Sequence, residues 1–173
     1  MDLSYPIGKF DFQQSVEASA IPELIAEIEA LPAQLRAATH GLSEAQLETP
    51  YRPGGWTVRQ TVHHVADSHM NSAVRLRLAL TETEPLIRAY EQQLWGELFD
   101  CRTAPIELSL GLLDGLHARW VILLKSLSPE DFSRTFRHPE IGLVRLDKNL
   151  ALYAWHGKHH TAHIANLRRR ERW

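Results

Sequence analysis

Apolar residues recur at helical spacing over four long stretches of the chain. The first carries Ile21, Leu24, Ile25, Ile28, Leu31 and Leu35, the rhythm of a helix with one buried face. Pro22 suits its first turn. Pro32 lies inside the pattern, so the spacing predicts a kink or break near Leu31, and an end at Gly41. The second stretch opens on the capping-box pattern Thr57-Val-Arg-Gln60 and runs to about Thr81. Val58, Val62, Val65, Leu76 and Leu80 form one apolar side there, and Met70, Val74 and Leu78 a second. The third follows Pro105, with Ile106, Leu110, Leu113, Leu116, Trp120, Leu123, Leu124 and Leu127. The fourth follows Asp147, a candidate N-cap, and ends in the basic tail from Arg168 to Trp173.

The intervening segments read as connections. Residues 1–12 form an N-terminal arm, and Ser43 to Gln46 has the form of a second capping box opening a short helix. Thr49 to Gly55 (T-P-Y-R-P-G-G) is a loop by its proline and glycine content. Glu82 to Pro85 breaks the chain, Leu86 to Phe99 is expected to hold a shorter helix, and Ser128 to Asp131 marks a turn. Arg134 to Leu146 alone lacks helical spacing; Pro139, Gly142 and alternating apolar residues predict a small hairpin or irregular segment. Residues 1–173 are thus expected to form a single all-α domain, a four-helix bundle with short extra helices.

Composition adds little to this. Of 173 residues, 44% are hydrophobic and 23% charged, with a formal net charge of −2, which provides no general attraction to nucleic acid or to a membrane. The arginines of the tail fit a solvated helix end facing the helix dipole better than a phosphate-binding patch. The single cysteine, Cys101, leaves no internal disulfide and suits a reducing compartment. There is no signal peptide pattern and no apolar run long enough to span a bilayer, so a cytoplasmic protein is expected.

The candidate chemistry lies in the histidines, ten in all. The stretch A-W-H-G-K-H-H-T-A-H-I-A-N holds His156, His159, His160 and His163. His156 with His160, and His159 with His163, are i, i+4 pairs able to present two imidazoles from one helix face. Turning about 100° per residue puts His156 and His160 inside the apolar stripe with Tyr153, Ile164 and Leu167, and His159 and His163 at its edge. Imidazoles directed into a core need a partner, and a divalent cation such as zinc or nickel is one, given a third ligand from elsewhere. The motif lacks the glutamate of H-E-x-x-H, so it is not that of a zincin. On the second helix His69 falls on the valine side, whereas His64 shares a polar ridge with Gln60, Asp67, Ser68, Asn71 and Arg75. Periodicity leaves both open as the third ligand.

Three separated blocks, Y-R-P-G-G-W-T-V-R-Q at 51–60, H-H-V-A-D-S-H-M-N-S at 63–72 and W-H-G-K-H-H-T-A-H-I at 155–164, resemble the DinB/YfiT-like superfamily. Within it the likeness is to the YfiT type, described as metal-dependent hydrolases and later linked to bacillithiol S-transferases. The resemblance implies a DinB/YfiT-type four-helix bundle with non-sequential helix order, one zinc or nickel ion per subunit, and a homodimer. Residue by residue it assigns the metal ligands to His64, His156 and His160, so that replacing His69 or His138 is expected to spare metal content.

Three neutral imidazoles leave a coordination position for water or substrate. The chain is therefore expected to be a metal-dependent hydrolase using metal-activated water on a small-molecule substrate. Asp67, one turn from His64, is a candidate base or a group orienting a ligand. The alternative is a thiol S-transferase of the bacillithiol type, in which the metal activates a low-molecular-weight thiol and no separate base is needed. A third reading leaves the metal as a non-catalytic staple of the bundle. Arg52, Trp56 and Arg59, at the loop-to-helix junction beside His64, are candidate substrate-binding residues.

Overall fold

The computed structural model describes residues 3–173. An irregular arm and a 3-10 turn (Ala18–Ala20) lead into α1 (Ile21–Thr39), the short α2 (Glu44–Leu47) and the long α3 (Val58–Thr81). The short helices α4 (Gln92–Gly96) and α5 (Phe99–Thr103) precede the long α6 (Ile106–Lys125) and the short α7 (Pro129–Phe132). Strands β1 (Thr135–His138) and β2 (Gly142–Arg145) form an antiparallel hairpin that feeds straight into α8 (Leu146–Glu171). The expected all-α bundle with one small hairpin is what the chain forms, and no helix among the described residues is long and apolar enough to cross a membrane.

Helix starts follow local chemistry. The Thr57 hydroxyl accepts the Gln60 amide at 3.1 Å while Gln60 Oε1 accepts the Thr57 amide at 3.0 Å, the reciprocal bonding of a capping box. Ser43 with Gln46 and Ser128 with Asp131 repeat it. Asp147 is not the N-cap of α8. The cap is Arg145, because the Leu146 amide is taken by the Arg134 carbonyl at 2.9 Å and the helix begins there. Asp147 sits in the first turn, its carboxylate 2.7 Å from the Arg145 guanidinium. Of the span Leu86 to Phe99, expected to hold one short helix, only α4 is helical, and a second short helix, α5, starts at its last residue. The Ile87 amide donates to the Arg137 carbonyl at 3.0 Å, tying the start of that segment to β1 in extended form.

No break occurs at Pro32: α1 runs unbroken through it. Proline lacks an amide hydrogen, so the carbonyl four residues earlier loses its helical partner. That carbonyl, of Ile28, is met by Nδ1 of His117 on α6 at 2.6 Å.

Around the bundle the long helices follow the cyclic order α1–α6–α3–α8, since α1 and α3 each pack on both α6 and α8. Helices consecutive in the chain therefore stand diagonally in two of three cases, the non-sequential order expected. The core is divided. One cluster includes Ile28, Leu76, Trp120 and Leu150, the other Leu31, Val62, Leu113 and Ile164. Between them, at mid-bundle, lie His64, His69, His117, His156 and His160.

Candidate metal centre

This layer of imidazoles is built from three helices. α3 contributes His64 and His69, α6 contributes His117, and α8 contributes His156 and His160 one turn apart. Nε2 of His64 and Nε2 of His156 face each other at 3.2 Å. Ligand nitrogens of His64, His156 and His160 all lie within 4.8 Å of one another. Two nitrogens about 2.0–2.1 Å from a tetrahedral zinc stand about 3.3–3.4 Å apart, so the observed pair suits two ligands of one cation. Nδ1 of His160 is buried with no protein partner.

Burial keeps these rings neutral, the state in which imidazole ligates metal. His64 is pulled down to about 3 by desolvation, with the neighbouring His159 adding to it. His156 and His160 fall well below the usual histidine value, burial again being the main cause. His156 is the least covered of the three and opens onto a cavity.

That cavity, of about 290 Å³, is lined by the histidines together with Tyr5, Tyr51, Arg52, Trp56 and Trp155. Trp56 lies over His64 with ring centroids 4.4 Å apart. Tyr51 stacks on His163 at 4.0 Å and Trp155 on His159 at 4.4 Å. The N-terminal arm closes one edge, its Ser4 carbonyl accepting from Nε2 of His163 at 3.3 Å. Of the residues read as substrate-binding, Arg52 and Trp56 are on this wall and Arg59 is not. The Arg59 guanidinium is buried against Glu44 and Glu48, the latter at 2.6 Å, and donates to the Ala104 carbonyl at 2.8 Å. It fastens α2 and the end of α5 to α3.

Asp67 also lies off the cavity wall. Its carboxylate receives the Cys101 thiol at 3.8 Å, and burial lifts it to about 6. The Cys101 thiol is itself pushed up to about 12 by burial, then by Asp67 and Asp100, which removes it as a thiolate nucleophile at neutral pH. His63 is structural, its ring bonded to Ser109 Oγ at 2.7 Å and the Ala104 carbonyl at 3.1 Å. His138 is on the hairpin, in β1.

His159, His160 and His163 form a second close group. It shares His160 with the first, so filling both would require that one ring to bridge two ions. Either set can be filled alone; the first is the one that draws its rings from both α3 and α8. Sequence motifs do not single out His117, although it stands in the apolar stripe of α6 four residues after Leu113 and three before Trp120. A histidine in such a stripe is a buried polar group in need of partners, and that was the available signal.

The chain is similar over its whole length to proteins of this architecture. It is 51% identical over 173 residues to a provisionally named metal-dependent hydrolase of Oceanobacillus iheyensis, covering 100% of both chains. To one of Bacillus cereus (strain B4264) it is 54% identical over 172 residues, covering 99% of each. Among solved structures, it matches YfiT from Bacillus subtilis, described as a probable metal-dependent hydrolase with an unusual four-helix bundle topology. That match has a TM-score of 0.96 at 47% identity, covering 100% of this chain and 99% of that one. The four-helix bundle protein TT2238 matches at a TM-score of 0.57 and 25% identity, over 82% of this chain and 94% of that one. Residues 27–164 match the DinB superfamily, and with these relatives they show that the chain belongs to it.

Proposed function

We propose that this protein is a metal-dependent hydrolase of small molecules whose divalent cation is held by His64, His156 and His160. The observation that carries the reading is the 3.2 Å approach of two Nε2 atoms from different helices, with His160 beside them, at the floor of an open cavity. A zinc or nickel ion bound there supplies a Lewis acid and lowers the pKa of water toward about 7. The chain's own residues do the rest. Burial holds the imidazoles unprotonated, and the helices of a packed bundle fix their separation. Trp56 against His64 and Trp155 against His159 give the cavity apolar walls beside the histidines. Arg52, on the wall, is the cation available to orient a carboxylate or other anionic group of a substrate.

One observation favours a second reading, transfer of a low-molecular-weight thiol. None of the residues lining this cavity is an aspartate or glutamate, Glu91 and Glu140 stand on a separate cavity that His156 also lines, and Asp67 is turned toward Cys101. Hydrolysis calls for a general base near the attacking water, whereas a cation held by His64, His156 and His160 would by itself lower the pKa of a thiol.

Elemental analysis of the purified protein, followed by turnover of ester and amide substrates with and without added thiol, tests both. Stoichiometric metal with thiol-independent hydrolysis is the expected result. Turnover only in the presence of thiol replaces hydrolase with transferase, and absence of any bound divalent metal overturns the site.

A further inference from the structure

We propose that His69 and His117 are positioning residues that lock His156 into one tautomer, and that the lock is anchored at the Ile28 carbonyl, which Pro32 leaves without a helical bond. The proposal rests on the reading of His156 as a metal ligand. It concerns residues that do not themselves reach the cation.

The chain of bonds begins at a backbone carbonyl. Pro32 has no amide hydrogen, so the Ile28 carbonyl is free of its helical bond, and it lies 2.6 Å from Nδ1 of His117. A carbonyl only accepts, so Nδ1 of His117 carries the hydrogen, and the Nε2 of this neutral ring is a bare acceptor. Nε2 of His117 is 3.1 Å from Nδ1 of His69, which must therefore donate. Nε2 of His69 is then the acceptor for Nδ1 of His156 at 3.2 Å. His156 is left with its hydrogen on Nδ1 and its lone pair on Nε2, the atom that faces His64 at 3.2 Å. One orphaned carbonyl thus fixes the hydrogen positions of three successive imidazoles, assigned here from the bonding network. Moving the hydrogen of either intermediate ring to its other nitrogen would set two acceptors against each other on one side and two hydrogens on the other.

The physical consequence falls on the metal. A ligand imidazole whose remote N–H is held by a fixed acceptor is oriented before the metal arrives and is a better donor, and losing such a partner costs about 10–100-fold in metal affinity. An unrestrained neutral histidine favours the hydrogen on Nε2, the wrong atom for this site, so the relay works against that preference. Both bridging rings are buried, His69 completely, so no water competes for these bonds. The arrangement also accounts for a proline kept inside α1 without a break. Full metal loading of a His69 variant at saturating metal remains expected; it is the affinity that falls.

Long-range nitrogen–hydrogen correlation spectra of the metal-free wild-type protein test the relay without any substitution. His69, His117 and His156 should each show the Nδ1–H form; the Nε2–H form at any of the three overturns the proposal. Competition with a chelator then measures zinc affinity in variants. His69→Leu and His117→Leu should bind about 10–100-fold more weakly. His69→Gln, whose amide can accept from His156 and donate to His117, should recover most of the loss. Wild-type affinity in folded His69→Leu, or no difference between the Leu and Gln variants, defeats the relay. Wild-type affinity in His156→Ala instead defeats the ligand assignment, leaving the wild-type spectrum to judge the relay.

Discussion

Gly157 of α8 faces Leu31 of α1 so closely that a methyl group on it would lie 2.6 Å from Leu31 Cδ2 and 3.1 Å from Cγ. This glycine follows His156 directly, and its missing side chain lets α1 and α8 approach beside the histidine layer. One residue further, Lys158 pairs with Glu27 of α1 at 2.5 Å, so the same contact is fastened from outside. The spacing between helices here decides where His156 can point.

Gly157→Ala is therefore expected to destabilise the protein by about 1–3 kcal/mol, the usual cost of overpacking a filled core, against a small gain in helix propensity. Chemical denaturation measures it. In a Leu31→Ala background the cost should shrink, because the two groups contend for one space. Additive effects in the double variant rule the clash out.

Replacing His64, His156 or His160 with alanine should each remove most of the bound metal, by elemental analysis of folded protein. A site of three ligands reduced to two no longer competes with water and buffer for the ion. Full metal content in His64→Ala means that α3 does not contribute the ligand assigned to it.

Stability of the metal-free protein should fall steeply between about pH 6.5 and pH 4. His64 is held down to about 3, and His159 and His163 to about 4, all chiefly by burial. In the unfolded chain these rings take up protons near 6.5. Below that pH the unfolded state binds protons that the folded state refuses, so stability present above 6.5 is lost as the pH falls through this window. Each ring contributes up to about 1.4 kcal/mol per pH unit. Urea midpoints at pH 7.5 and 5.0 check the sign; equal midpoints mean that the rings stay protonatable in the fold.

Arg59→Met should cost about 1–3 kcal/mol and leave metal affinity unchanged. The substitution removes the Arg59 bonds to the Ala104 carbonyl at 2.8 Å and to Glu44 and Glu48, a loss of about that size, while the His63 ring at 3.1 Å still meets that carbonyl. The loss stays modest because Glu44 and Glu48 are largely solvated, at 84% and 53% side-chain exposure, and are not left as buried charges. A weakened metal site in a stable Arg59→Met protein returns this residue to the binding wall.

Much of the bundle was written in local patterns. The boundary at Thr81, the capping boxes at Ser43 and Thr57, the start after Pro105 and the hairpin after Arg134 each rest on contacts within a few residues, which sequence spacing records directly. The misplaced cap at Asp147 and the unbroken α1 share another cause. In both, a backbone group was satisfied by a residue far along the chain, Arg134 for Leu146 and His117 for Ile28.

The sequence by itself determined that four amphipathic helices would form and that α8 would present His156 and His160 on one buried face, because i, i+4 geometry is intrinsic to a helix. Only the tertiary structure decided which other groups meet that face. It brought His64 to 3.2 Å from His156, sent Asp67 to Cys101 and Arg59 to α2, and set His69 and His117 behind the site. These outcomes depend on the cyclic order of the helices and on the rotation of each about its axis. Both are fixed by packing between residues remote in the chain, such as Gly157 against Leu31, and periodicity within a single helix carries no record of them.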